Sequence, residues 1–109
     1  MNVLFVCSRN QWRSRTAETI FSKKEEHVIR SAGTALNARI KISHKLFEWA
    51  DLIFVMEKKH KDQLRDKYKF PVETKEIIIL DVPDEYAYMD ENLIDILKTS
   101  VSHYLKWST

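Results

Sequence analysis

The sequence predicts a single α/β domain: a four-stranded parallel sheet with helices on both faces and an anion-binding loop after the first strand. Three observations predict it. Short apolar runs at 3–6, 52–56 and 77–80 alternate with longer segments of helical periodicity. Such alternation requires parallel strands joined by crossover helices. The only cysteine, Cys7, directly follows the first run, and a loop leads from it to a helix start near Ser14. No repeat, low-complexity tract or linker interrupts the 109 residues, so residues 1–109 are read as one domain.

The elements follow in order. Val3-Leu4-Phe5-Val6 is apolar throughout and reads as a buried strand. Residues 14–26 read as a helix, with Ala17, Ile20 and Phe21 at helical spacing and Ser14 as its cap. Residues 27–30 form a short second strand that ends at Ser31-Ala32-Gly33-Thr34. Residues 43–50 form a short helix with Leu46, Phe47, Trp49 and Ala50 on its apolar side. The run at 52–56 is the third strand, buried on both faces. Residues 57–68 form a charged helix with His60, Leu64 and Tyr68 in line. Residues 76–80 are the fourth strand, and residues 90–106 the last helix. Leu93, Ile96, Leu97, Val101, Tyr104 and Leu105 make its apolar stripe, and Asp90 is its cap.

Composition narrows the function. A net charge of +2 gives no argument for nucleic acid or a membrane surface. The longest apolar runs are far too short to span a bilayer, and no charged region precedes the first strand as in a signal peptide. One cysteine excludes an internal disulfide and fits a reducing cytoplasm. A single glycine, Gly33, excludes a Walker loop and a dinucleotide fingerprint. The four histidines show no metal-ligand spacing, so neither metal nor cofactor is expected. His44 and His60 read as structural or solvent-facing, and the charge run at 57–62 reads as a solvated helix face.

The chemistry centres on Cys7 and Arg13. N–H groups of a loop entering a helix, with the helix dipole, favour an anion. Ser8, Arg9, Asn10, Gln11 and Trp12 supply that loop, and Arg13 adds a guanidinium suited to a phosphate-like oxyanion. The same positive field favours the thiolate of Cys7, the form that attacks. In a parallel sheet, ligands bind outside the carboxyl ends of the strands, so partners for Cys7 should come from the loops there. The loop at 81–90 offers Asp81, Asp84 and Glu85 as proton donors for a leaving group.

The segment VLFVCSRNQWRSRTAE resembles the active-site segment of the low-molecular-weight protein tyrosine phosphatases. That family's loop reads Cys-x-x-Asn-x-x-Arg-Ser, matched by Cys7, Asn10, Arg13 and Ser14. Ser31-Ala32-Gly33-Thr34, Ile42-Ser43-His44 and the 50–57 segment also resemble family segments in the same order. The resemblance implies a phosphate-binding loop after strand one and a cytoplasmic phosphomonoester hydrolase. Cys7 would form a phosphocysteine, Arg13 would bind phosphate, and Ser14 would hydrogen-bond the thiolate. Pro83-Asp84-Glu85-Tyr86 resembles the family's acid loop, which makes Asp84 the general acid and base and Tyr86 an aromatic wall. The substrate would be a phosphorylated protein or a small phosphate ester. A phosphate-binding module without turnover is the alternative from another class. Arsenate reduction is a further alternative, although the cysteines that relay a disulfide are missing.

Several positions depart from the family pattern. Arg9 stands where a glycine is usual, Trp12 where a second cysteine is common, Arg15 where a proline is common and Glu85 where a second proline is common. Arg9 either carries backbone strain at positive φ or places another charge at the mouth. The segment between Thr34 and Asp51 is short, which implies a more open cleft.

Overall fold

β1 (Asn2–Cys7) is flanked by β2 (Val28–Gly33) and β3 (Leu52–Val55), and β4 (Glu76–Ile79) extends the sheet beyond β3. All pairings are parallel, and the strand order is β2-β1-β3-β4. These coordinates come from a computed structural model, which describes residues 1–22, 26–68 and 75–105. Because successive side chains leave opposite faces of a strand, the apolar run of β1 feeds two cores. Val3, Phe5 and Cys7 join Leu52 and Phe54 on one face. There they meet Ala17 and Phe21 of α1 (Arg13–Phe21) and Leu93, Leu97 and Val101 of α4 (Glu91–Ser102). Leu4, Val6, Ile53, Val55 and Ile77 face the other way. They pack on Phe47 of α2 (His44–Trp49), Leu64 of α3 (Lys58–Lys67) and the adjoining Tyr68. Phe5 lies between Phe21 and Phe54, with centroids 5.6 and 5.1 Å away.

The expected class and sheet are therefore present, with helices on both faces. Element ends differ in places. β2 runs through Gly33 instead of ending at residue 30, because Ser31, Ala32 and Gly33 continue to pair with Phe5, Val6 and Cys7. α1 ends at Phe21, short of the expected residue 26, and residues 23–25 lie outside the described residues. α4 ends at Ser102, and Lys106 lies outside the described residues. Asp90 caps α4 as expected, accepting from the N–H groups of Asn92 and Leu93. Ser14 does not cap α1. The N-cap is Trp12, without a side-chain bond, and the Ser14 hydroxyl is drawn instead toward the sulfur of Cys7. Among the described residues, no helix is long and apolar enough to cross a membrane.

Parallel pairing brings the carboxyl ends of all strands to one edge. Four segments converge there: the loop after Cys7, the strap at 34–40, the start of α3 and the loop at 81–90. The strap returns to the sheet at Gly33, whose N–H donates to Ile40 O at 2.8 Å and whose carbonyl accepts from Ile42 N at 2.9 Å.

Candidate active site

A cavity of about 360 Å³ opens at this edge, lined by Cys7, Ser8, Arg9, Gln11, Trp12, Arg13 and Asp84. Cys7 is buried at its floor, at the end of the central strand. The N–H of Asn10 points at its Sγ from 3.2 Å, and Ser14 Oγ lies 2.9 Å from it. Asn10 Nδ2 donates to the same Ser14 oxygen at 2.7 Å, and the one hydroxyl proton of Ser14 has two acceptors within reach, the sulfur and the carbonyl of Ala32 at 3.3 Å. Asn10 and Ser14 thus sit behind the loop and serve the sulfur, outside the cavity lining. Asn10 has φ 58, the left-handed geometry that asparagine tolerates.

Arg9 is not among the residues with positive φ, so its place in the loop carries no such strain. It lies exposed in the cavity lining and adds a positive charge to the mouth, as does no glycine. Trp12 is exposed beside it.

Arg13 is almost fully buried and held from behind. Its Nη1 donates to Glu57 Oε2 at 2.5 Å and to the carbonyl of Val82 at 2.8 Å. That leaves Nε and Nη2, the edge that can hold two oxyanion oxygens, without a hydrogen bond among the described residues. Asp84 Oδ1 stands 3.8 Å from Nε. Of the three candidate acids, Asp84 lines the cavity, while Asp81 and Glu85 are exposed outside the lining. Tyr86 packs against the α1/α4 core layer and is not part of the lining. Tyr88 is turned to the outer side of α1, under the guanidinium of Arg15 at 4.4 Å and 2.9 Å from the Thr19 hydroxyl.

Three contributors were not legible as site residues. Glu57 anchors Arg13, and the Arg13 hydrogen bond holds its carboxyl below the ordinary range. The main-chain carbonyl of Val82 is the second anchor. The third is His60, which is fully buried. Its Nδ1 accepts from the N–H of Glu57 at 3.1 Å, so the proton of the neutral ring resides on Nε2. Nε2 then donates to Ser8 Oγ at 2.9 Å, which frees the Ser8 hydroxyl proton to point elsewhere. Burial, reinforced by the charge of Arg13, lowers the pKa of His60 to about 4. The Glu57–His60 spacing, which forms a capping box at the start of α3, was the available signal in the sequence.

No family model matches the sequence, and no curated protein matches it. Solved structures do. The YwlE arginine phosphatase from Geobacillus stearothermophilus superposes with a TM-score of 0.68 at 19% identity, over 98% of this chain and 99% of that one. The tyrosine phosphatase Wzb from Escherichia coli K30, solved with phosphate, gives 0.74 at 20% identity over 94% of each chain. SP-PTP, a low-molecular-weight protein tyrosine phosphatase from Streptococcus pyogenes, gives 0.75 at 18% identity over 96% of this chain and 93% of that one. With superposition over more than nine-tenths of both chains, this chain has the fold of the low-molecular-weight protein tyrosine phosphatases.

Proposed function

We propose that the protein is a cysteine-dependent phosphomonoester hydrolase of the low-molecular-weight tyrosine phosphatase type. One observation carries the reading. Among the described residues the hydrogen bonds that pin Arg13 fall on Nη1, and its bidentate edge shares a cavity with the Cys7 sulfur and the Asp84 carboxyl, which stands 3.8 Å from Nε.

The Cys7 thiolate attacks phosphorus and forms an S–P bond while the P–O bond to the leaving group breaks. Asp84, as the carboxylic acid, gives its proton to the departing oxygen. Arg13 and the loop N–H groups hold the equatorial oxygens, whose charge they stabilise in the transition state. Water then attacks phosphorus and Asp84 takes its proton. The S–P bond breaks, returning the thiolate and releasing inorganic phosphate. The substrate is a phosphorylated protein or a small phosphate ester, and Arg9 and Trp12 are the side chains at the rim that would meet its parent group. The structural neighbours, an arginine phosphatase and a tyrosine phosphatase, indicate the range of substrates to try.

The test is phosphate release from an aryl phosphate at about pH 6, with Cys7→Ser as control. Turnover that Cys7→Ser abolishes is the expected result. Intact, reduced protein that binds phosphate but releases none from the ester would replace this reading with that of a phosphate-binding module.

A further inference from the structure

We propose that Arg39 is a positioning residue for the Cys7 loop. Its side chain locks the peptide after Asn10 so that the loop N–H groups face the oxyanion. The proposal rests on the reading of the Cys7 cavity as an oxyanion site.

Four consecutive loop carbonyls are bound from outside by the strap at 34–40. Cys7 O accepts from Thr34 N at 3.0 Å, Ser8 O from Ala35 N at 2.8 Å and Arg9 O from Arg39 N at 2.9 Å. Asn10 O accepts from Arg39 Nε at 3.0 Å. In a trans peptide the carbonyl and the following N–H point in opposite directions. Each carbonyl fixed outward therefore turns the next N–H inward, those of Ser8, Arg9, Asn10 and Gln11. The Asn10 N–H directed at Cys7 Sγ is the visible instance.

The first three of these bonds are made by strap backbone. The fourth is made by a side chain, and it falls on the peptide that follows the one left-handed residue of the loop. Arg39 is itself braced. Its Nη2 lies 4.0 Å from Glu18 Oε1 of α1, and Glu18 in turn accepts a hydrogen bond from the Ser31 hydroxyl of β2. The guanidinium thus ties the loop to both the helix and the strand that flank it. Arg39 does not line the cavity, so it acts through the loop.

The experiment compares wild type, Arg39→Met and Arg39→Lys in the full chain. It measures aryl phosphate kcat and KM, the pH dependence of Cys7 alkylation by iodoacetamide, and protection from alkylation by inorganic phosphate. For Arg39→Met, kcat should fall about tenfold and phosphate protection should weaken at least about threefold. Cys7 should also become reactive only at higher pH. Arg39→Lys retains the charge but not the Nε–H, and should recover less than about half of the lost protection. A variant that folds poorly but keeps its alkylation profile and protection would mark a merely structural role and overturn the proposal. Full recovery with lysine would also overturn it, since charge alone would then suffice. Phosphate that protects Cys7 in a wild-type protein without turnover would overturn the hydrolase reading; the Arg39 effects on protection and alkylation would still support positioning. Wild-type Cys7 left unprotected by phosphate would overturn both.

Discussion

His60 illustrates how a single residue's protonation state is set by geometry. The N–H of Glu57 occupies Nδ1, so a second ring proton would face a donor, inside a buried site that already holds Arg13. The pKa is accordingly lowered from 6.5 to about 4, mainly by burial and then by Arg13. Glu57 and Asp84 pull in the opposite direction without reversing it. Because the folded pKa is depressed, the unfolded chain binds the extra proton first as pH falls. The contribution of neutral His60 to stability is therefore complete above pH 6.5 and is lost progressively as pH drops toward 4. Urea unfolding of wild type should show this decline, on the order of 3 kcal/mol for a fully expressed shift of this size. His60→Gln should flatten it between about pH 6.5 and 5, above the range where ordinary carboxylates titrate. An unchanged slope would remove His60 as its source.

At the scale of the element, the strap and β2 depend on the chain's single glycine. Gly33 is not at positive φ, so its role is close approach. A Cβ there would lie 2.4 Å from Ser8 O, 2.7 Å from Ala38 Cβ and 3.0 Å from Arg9 C. Two of those three atoms are backbone of the Cys7 loop, which a side-chain rotation cannot relieve. Gly33→Ala should destabilise the protein by roughly 1–3 kcal/mol, as overpacking does. It should also weaken phosphate protection of Cys7, because the loop must shift to admit the methyl group. Denaturant midpoints and the alkylation assay report the two effects separately. Stability within about 0.5 kcal/mol of wild type would mean that the strap moves freely and does not brace the loop. The loop at 81–90 is tied down in a different way, through Val82 N to Met56 O at 2.8 Å, Met89 N to Thr16 Oγ1 at 2.9 Å and Arg13 to Val82 O. These ties hold the segment that carries Asp84 against α1 and β3 without the second proline that Glu85 replaces.

For the molecule as a whole, the site depends on β1 being central and buried on both faces. Phe5 is fully buried between Phe21 and Phe54, two residues before Cys7. Phe5→Ala should cost about 3–5 kcal/mol, a large share of a small domain's stability. A loss under about 1 kcal/mol in a denaturant titration would show that the core layer refills the space. The class, the sheet and the cysteine loop were legible in the sequence because their signals are local. A buried strand, a loop and a helix start fit between Val3 and Ser14, and backbone sterics fix how such a unit folds. The strands after it announce themselves by apolar runs of the right length. Asp84 could be singled out only by resemblance, since Asp81 and Glu85 are chemically equivalent in a linear reading. The packing of the loop at 81–90 separates them, bringing Asp84 alone of the three into the cavity lining. Tyr86 shows the same limit from the other side, for the fold uses it at the core edge. Glu57 and the Val82 carbonyl lie in loops that the sequence places at this edge, but neither they nor Arg39 could be singled out as site residues, for one physical reason. Each meets its partner across 29 to 69 residues, from 10 to 39, 13 to 57 and 13 to 82, and strand order and loop docking set those distances. By itself the sequence determined which side chains are candidates for the chemistry. The tertiary structure decided which neighbours hold those side chains in place, because only packing fixes distance between segments far apart in the chain.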